Sequence, residues 1–211
     1  MKVKVCGITK AEQLKLLIEG GADYAGFIFY ERSPRFVGNK LDARTVRETG
    51  KGIKKVGVFV NAPLSQVLQI IKDYGLDVAQ LHGDETPDYC ATVRESAVVI
   101  KAFRIGDGVG LFDTVARYEY VCDYFLFDTA GAEYGGTGKL FDWALLSQYP
   151  FKTPFFLSGG IGPSHAEAVM ELGLPALYAV DVNSKFETAP GVKNMDQVHA
   201  FINNIKHSPV K

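Results

Sequence analysis

The sequence predicts a single (β/α)8 barrel domain spanning residues 1–211, and three observations support this fold class. Short β-branched or aromatic runs alternate strictly with helical patterns, eight of each. The strand runs are almost continuously apolar, as in a parallel sheet buried on both faces. Eight repeats in 211 residues match the lower size limit of the barrel. A doubly wound sheet is the alternative, but it usually has fewer strands and a GxGxxG turn after strand 1, where this chain has Cys6-Gly7-Ile8-Thr9.

Each element has its own signals. The predicted strands are 2–6, 23–29, 54–60, 77–81, 97–103, 122–128, 154–158 and 177–182, and the predicted helices are 10–19, 42–49, 64–74, 86–95, 110–117, 142–147, 163–171 and 194–205. Thr9 is expected to cap the first helix, with Glu12 completing a capping box. Pro163 opens the seventh helix. Gly75 and Gly173 are each expected to close a helix in a left-handed conformation.

Composition narrows the function. The 23 basic and 24 acidic residues give a net charge of -1, so we expect no nucleic acid or anionic membrane as a partner. The longest apolar runs, such as 56–60 and 154–157, are too short to span a bilayer, and the first residues lack the pattern of a secretory signal. Three cysteines without CxxC spacing argue against disulfides and structural zinc and favour a cytoplasmic location.

Polar and reactive residue types are concentrated where the predicted strands end. In barrels of this type the active site lies at that face. Cys6 follows strand 1, although a free cysteine is most often a buried small hydrophobe. Asp128 ends strand 6 and is either a general acid or the cap of the next loop. His82 is either a residue of the site or a structural histidine. Arg35 is either a residue of the site or a solvated surface charge.

Glycine-rich segments follow strands 6 and 7, and a polar turn follows strand 8. Ser158, Gly159 and Gly160 lie between a strand and a helix, and with 181–184 they predict a phosphate site built from backbone N–H groups. The loop 130–139 departs from the P-loop pattern at Glu133 and Leu140, so we interpret it as a mobile lid.

Together the motifs resemble the phosphoribosylanthranilate isomerase family over the whole chain. They are KVCGIT at 4–9, GADYAGFIFYERSPR at 21–35, VGVFVN at 56–61, QLHGDE at 80–85, FDTAGAEYGGTGKLFDW at 127–143, LSGGI at 157–161 and AVDVNSKFE at 179–187. The resemblance implies an Amadori rearrangement of N-(5-phosphoribosyl)anthranilate without cofactor or metal. It also implies a small-molecule phosphosugar-anthranilate partner and a monomer or homodimer.

The resemblance also implies roles for individual residues. Cys6 is similar to the family's general base and Asp128 to its general acid. The implied substrate-binding residues are Arg35, which would hold the anthranilate carboxylate, and Gln80, His82 and Asp181; the implied phosphate-binding residues are Ser158, Gly159, Gly160, Asn183 and Ser184. A thiolate base requires nearby N–H groups or cations that lower the thiol pKa toward neutrality.

Two positions depart from the family pattern, which often has Ser at Asn183 and Gly at Lys185. Lys185 would strain the loop if its φ were positive, or it would add a cation near the phosphate.

Three rival functions fit the same fold class. Indole-glycerol-phosphate synthase needs catalytic Lys and Glu residues on its strands, and Lys101 is the only strand lysine predicted near the rim. A histidine-pathway sugar isomerase uses two aspartates, whereas strand 1 here offers Cys6. A non-catalytic phosphosugar-binding module would need neither Cys6 nor Asp128. Turnover, followed by the fluorescence of the anthranilate group, separates these alternatives.

Overall fold

Eight parallel strands close into a barrel in sequence order, which confirms the predicted fold class. The computed structural model describes residues 1–49, 52–129 and 142–207. The strands are β1 (Lys2–Val5), β2 (Tyr24–Ile28), β3 (Lys54–Phe59), β4 (Val78–Leu81), β5 (Val98–Ile105), β6 (Tyr124–Thr129), β7 (Phe155–Leu157) and β8 (Leu177–Val182). The barrel closes where β1 pairs with β8, with Lys4 opposite Asp181.

Helices cover the outside of the barrel. They are α1 (Ala11–Glu19), α2 (Ala43–Glu48), α3 (Leu64–Tyr74), α4 (Pro87–Arg94), α5 (Leu111–Ala116), α6 (Ala166–Glu171) and α7 (Met195–His207), with 3-10 turns at Trp143–Gln148, Pro163–His165 and Ser184–Phe186. No helix within the described ranges is both long enough and apolar enough to cross a membrane.

The core forms two layers because successive strand residues point to opposite faces of the sheet. One set of side chains fills the barrel interior, including Tyr24, Val56, Ile100 and Phe156. The other set packs between the sheet and the helices. Both strand faces are therefore apolar, which explains the continuous runs in the sequence.

The first helix begins differently from the prediction. Lys10 occupies the N-cap position and makes no side-chain cap bond. The hydroxyl of Thr9 instead donates to the carbonyl oxygen of Gly191 at 2.7 Å. The predicted capping box is therefore wrong, because a bond across 182 positions of the sequence takes the hydroxyl that would have capped the helix.

Two of the predicted helices contain 3-10 geometry in the structure. The segment predicted at 163–171 begins as a 3-10 turn and becomes α-helical only at Ala166. The segment predicted at 142–147 is a 3-10 helix, with Asp142 accepting from the N–H of Ala144. The left-handed helix ends at Gly75 and Gly173 are confirmed, each with a φ of 58°.

A short hairpin that the sequence did not predict follows β8. Its strands are β9 (Glu187–Ala189) and β10 (Val192–Lys193), which pair antiparallel. The hairpin places the side chains of Glu187 and Lys193 beside the residues at the end of β8, since Lys193 Nζ bonds both Glu187 and Asn183.

Candidate active site

One pocket lies at the C-terminal ends of the strands, and all eleven candidate residues line it. They are Cys6, Arg35, Gln80, His82, Asp128, Ser158, Gly159, Gly160, Asp181, Asn183 and Ser184. The rule that barrel sites form at this face therefore located the pocket from sequence alone. Lys185 also lines it.

Cys6 follows β1 directly and lies in the pocket wall. It is 5% exposed, and its N–H donates to the carbonyl oxygen of Val182 at 2.9 Å. Burial raises the pKa of the thiol, although the positive charge of Lys4 opposes this shift. Lys4 therefore acts in the direction that a thiolate base requires, while burial acts against it. Cys90 and Cys122 are also free and buried, but neither lines the pocket.

Lys4 and Asp181 form an ion pair inside the barrel, on the pocket side of the core. Lys4 Nζ lies 2.8 Å from Asp181 Oδ1, and the two side chains are 0% and 5% exposed. Burial raises the pKa of Asp181, with Lys4 opposing the shift. Burial also disfavours the charge of Lys4, but Asp181 and the sulfur of Cys6 together outweigh it and raise the pKa of Lys4.

Asp128, His82 and Gln80 form a chain across the pocket. Asp128 Oδ2 lies 3.3 Å from His82 Nε2, and Asp128 Oδ1 accepts from the N–H of Thr129 at 2.9 Å. Gln80 Nε2 lies 2.9 Å from His82 Nδ1. If the amide donates, the proton of a neutral His82 sits on Nε2 and faces Asp128. The carboxylate is thereby fixed at the end of β6.

Gln80 also carries an unsatisfied acceptor. The residue is 1% exposed, and its Oε1 has no hydrogen-bond partner among the described residues. A buried acceptor without a donor costs about 1–3 kcal/mol. Because Gln80 lines the pocket, a donor on a bound ligand would remove that cost.

The turn after β7 brings its backbone close to the end of β6. Gly159 and Gly160 have φ values of 87° and 71°. A Cβ on Gly159 would lie 2.5 Å from the backbone nitrogen of Thr129 and 3.0 Å from Asp128 Oδ1. Only glycine fits there, so the candidate phosphate turn packs directly against Asp128. The N–H of Gly162 is already bonded to His165 Nδ1 at 2.8 Å, so it adds nothing to an anion site.

The loop after β8 accommodates Lys185 without strain. Among the described non-glycine residues only Asn61 has a positive φ, and Lys185 lies in the 3-10 turn Ser184–Phe186. Asn183 has a φ of -147° and is likewise not left-handed. The strain considered for Lys185 is therefore absent. Its side chain lies against Gly162 and lines the pocket, where it adds a cation.

Arg35 reaches the pocket from the loop after β2, and its position depends on Glu187. The Nε and Nη2 groups of Arg35 both bond the carboxylate of Glu187, which is 4% exposed. Glu187 therefore occupies the edge of the guanidinium group formed by Nε and Nη2, and Nη1 does not bond it. Burial alone would raise the pKa of Glu187, but Arg35 and Lys193 outweigh it and hold this pKa below its usual range.

Sequence reasoning assigned no role to Lys4, Glu187 or Lys193. Lys4 carried a signal: it is a charged residue in an apolar strand, two positions before Cys6 and so on the same face. Glu187 had no comparable signal in the sequence, because its contact with Arg35 depends on the unpredicted hairpin. The proposed lid at 130–139 lies outside the described residues, as do positions 130–141 of the motif at 127–143.

Comparison with known proteins gives consistent results. A family model described as N-(5'phosphoribosyl)anthranilate (PRA) isomerase matches residues 3–204. The N-(5'-phosphoribosyl)anthranilate isomerase of Parabacteroides distasonis is 41% identical over 213 residues, which cover 100% of this chain and 96% of the relative. The crystal structure of phosphoribosyl anthranilate isomerase from Thermotoga maritima is 34% identical, with a TM-score of 0.85 and 98% of both chains covered. A crystal structure of a phosphoribosyl anthranilate isomerase in complex with reduced 1-(o-carboxyphenylamino)-1-deoxyribulose 5-phosphate is 32% identical, with a TM-score of 0.82 and 98% of both chains covered.

Proposed function

Because the chain belongs to the phosphoribosylanthranilate isomerase family and catalyses the isomerase step of tryptophan biosynthesis, we propose that Cys6 is the general base and Asp128 the general acid of this step. The observation that carries the proposal is that both side chains line one pocket with the glycine turn after β7. The reaction converts N-(5-phosphoribosyl)anthranilate to 1-(o-carboxyphenylamino)-1-deoxyribulose 5-phosphate.

The first step opens the ribose ring. Asp128 in its acid form donates its proton to the ring oxygen, and the bond between that oxygen and C1 breaks. The nitrogen lone pair forms a C=N bond to C1, which leaves a protonated Schiff base and an ionised Asp128. His82 Nε2, 3.3 Å from Asp128 Oδ2, stabilises the carboxylate as it forms.

The second step removes the proton on C2. The Cys6 thiolate accepts that proton, and the electrons of the C–H bond move toward the cationic nitrogen to give an enolamine. The enolamine then tautomerises to the ketone. The cationic Schiff base favours the thiolate electrostatically, which offsets the effect of burial on the thiol pKa.

The remaining pocket residues position the substrate. We assign the phosphate to Ser158, Gly159, Gly160, Asn183 and Ser184, with Lys185 as an added cation, because these residues form two adjoining turns at the pocket. Arg35 would hold the anthranilate carboxylate through Nη1, the amino group that does not bond Glu187. The acceptor Gln80 Oε1 suits a substrate N–H or hydroxyl. Asp181, bonded to Lys4 through Oδ1, also lines the pocket, and we assign it to substrate binding.

The oligomeric state is proposed from a relative, and the cellular compartment from the cysteines. The Thermotoga maritima enzyme is described as dimeric, with monomers generated from it, and we assign this chain the same two states, monomer or homodimer. Three free thiols favour a reducing compartment such as the cytoplasm.

Asp128→Asn tests the assignment of the acid, because the amide keeps the shape of the side chain but does not deliver a proton. We expect near-normal substrate binding and a kcat lower by about 100-fold or more. Asp107→Asn, at an exposed position after β5, is the matched control and should keep wild-type turnover. A kcat for Asp128→Asn within a few-fold of wild type would move the acid elsewhere.

A further inference from the structure

Lys4 is a charged residue that packs beside the candidate base, Cys6. It lies two residues before Cys6 on β1, so both side chains point to the same side of the strand, into the barrel. A Cβ placed on Gly26 of β2 would lie 2.8 Å from Cys6 Sγ and 3.2 Å from Lys4 Nζ. The sulfur and the ammonium group therefore pack against the same glycine as neighbours.

The hydrogen bonds of Lys4 are incomplete. An ammonium group carries three donors; Asp181 Oδ1 accepts from it at 2.8 Å, and the sulfur of Cys6 is its other hydrogen-bond partner among the described residues. Lys101 on β5 provides a contrast, since it is also buried but reaches three carbonyl oxygens and Glu85 Oε2. The ammonium group of Lys4 thus retains capacity for a second anion, and the adjacent atom is the sulfur of Cys6.

Stability alone gives no reason for this ion pair. Replacing a buried ion pair by apolar residues of similar volume is often neutral or stabilising. A fully buried lysine in a barrel interior is therefore better explained by what it does for a neighbouring group.

We infer that Lys4 is a positioning residue whose ammonium group stabilises the thiolate of Cys6, while Asp181 keeps that ammonium group charged. The inference rests on the proposed function only where it treats Cys6 as the general base. The electrostatic coupling of Lys4 to Cys6 holds whichever residue is the base. The charged or titratable groups around Cys6 are Lys4 on β1, Asp181 on β8, Lys193 on β10, and Arg35, His82, Asp128 and Lys185 around the pocket.

The rate at which iodoacetamide alkylates Cys6 in the free enzyme tests this coupling, because only the thiolate reacts. Peptide mapping by mass spectrometry separates Cys6 from Cys90 and Cys122. At a fixed pH near neutrality, Lys4→Met should slow alkylation of Cys6 by a factor of about 10 or more, since a neighbouring charge shifts a pKa by about one unit or more. A purely structural role predicts the opposite, because a loosened barrel exposes the thiol and speeds its reaction.

Two further variants complete the experiment. Lys101→Met removes another buried lysine and its 3.1 Å pair with Glu85, and it should leave alkylation of Cys6 unchanged. The double variant Lys4→Met/Asp181→Asn removes both charges. It allows the coupling to be measured if Lys4→Met alone does not fold. It should also slow alkylation, by less than Lys4→Met alone, because Asp181 opposes the thiolate.

Isomerase pH profiles then link the coupling to catalysis. In Lys4→Met the rise of kcat/KM with pH should move to higher pH. Slowed alkylation with an unmoved profile would support the role of Lys4 and overturn Cys6 as the base. Alkylation of Cys6 at the wild-type rate or faster in both Lys4 variants would overturn the inference itself.

Discussion

Glu187 binds the guanidinium group of Arg35 through both of its carboxylate oxygens. Arg35 Nε donates to Oε1 at 2.9 Å and to Oε2 at 3.0 Å, and Nη2 donates to Oε2 at 2.7 Å. This pairing fixes the plane of the guanidinium group. Arg35 therefore presents a preorganised cation to the pocket, at a small loss of side-chain entropy when a ligand binds.

Replacing Arg35 by methionine should weaken substrate binding. Loss of one partner of a buried charge pair costs about 2–5 kcal/mol, so we expect a large rise in KM and a smaller change in kcat. Arg32→Met, at an exposed position of the same loop, is the control and should leave KM unchanged. The measurement is steady-state turnover with the substrate and with an analogue that lacks the carboxylate. Equal discrimination between the two compounds by Arg35→Met and wild type would exclude this contact.

Glu187 should make the fold sensitive to acid. Its pKa is lowered in the folded protein, so its contribution to the free energy of unfolding is fully present above its unfolded pKa of about 4.3. That contribution is lost as the pH falls through the folded pKa. Glu187→Gln should therefore reduce the melting temperature most near pH 7 and least near about pH 3. Glu12→Gln, at an exposed position of α1, serves as the control. A Glu187→Gln deficit that is constant with pH would contradict this prediction.

Inorganic phosphate should occupy the turns after β7 and β8. We expect weak competitive inhibition and a melting temperature that rises with phosphate concentration by mass action. Lys185→Met should weaken both effects, because Lys185 lines the pocket beside these turns. Lys152→Met removes an exposed lysine that does not line the pocket and should change neither effect. Competition that is absent up to tens of millimolar phosphate would count against the site.

The sequence predicted the barrel well because its signals are local and repeated. Each apolar run and each helical stretch is readable within a short window, and the end of each strand then locates the pocket. The positions of Cys6 and Asp128 followed from that rule, while their roles came from the resemblance to a family. A free cysteine and a carboxylate at strand ends do not by themselves define a reaction.

The features that the sequence did not predict depend on contacts between distant residues. Arg35 and Glu187 are 152 positions apart, and they meet only because an unpredicted hairpin follows β8. The bond that Thr9 makes to Gly191 displaced a favourable local cap for the same reason. The net direction of the pKa shift of Cys6 depended on weighing burial against Lys4, which requires the packed barrel.

The most direct test of the central claim is the kcat of Cys6→Ser, followed by the fluorescence of the anthranilate group. A serine hydroxyl is a far weaker base than a thiolate, so we expect kcat to fall by about 100-fold or more in a variant that still folds. Cys90→Ser, which alters a buried thiol of α4 outside the pocket, is the matched control and should retain wild-type turnover in the folded protein. Turnover by Cys6→Ser within a few-fold of wild type would contradict the assignment of Cys6 as the base.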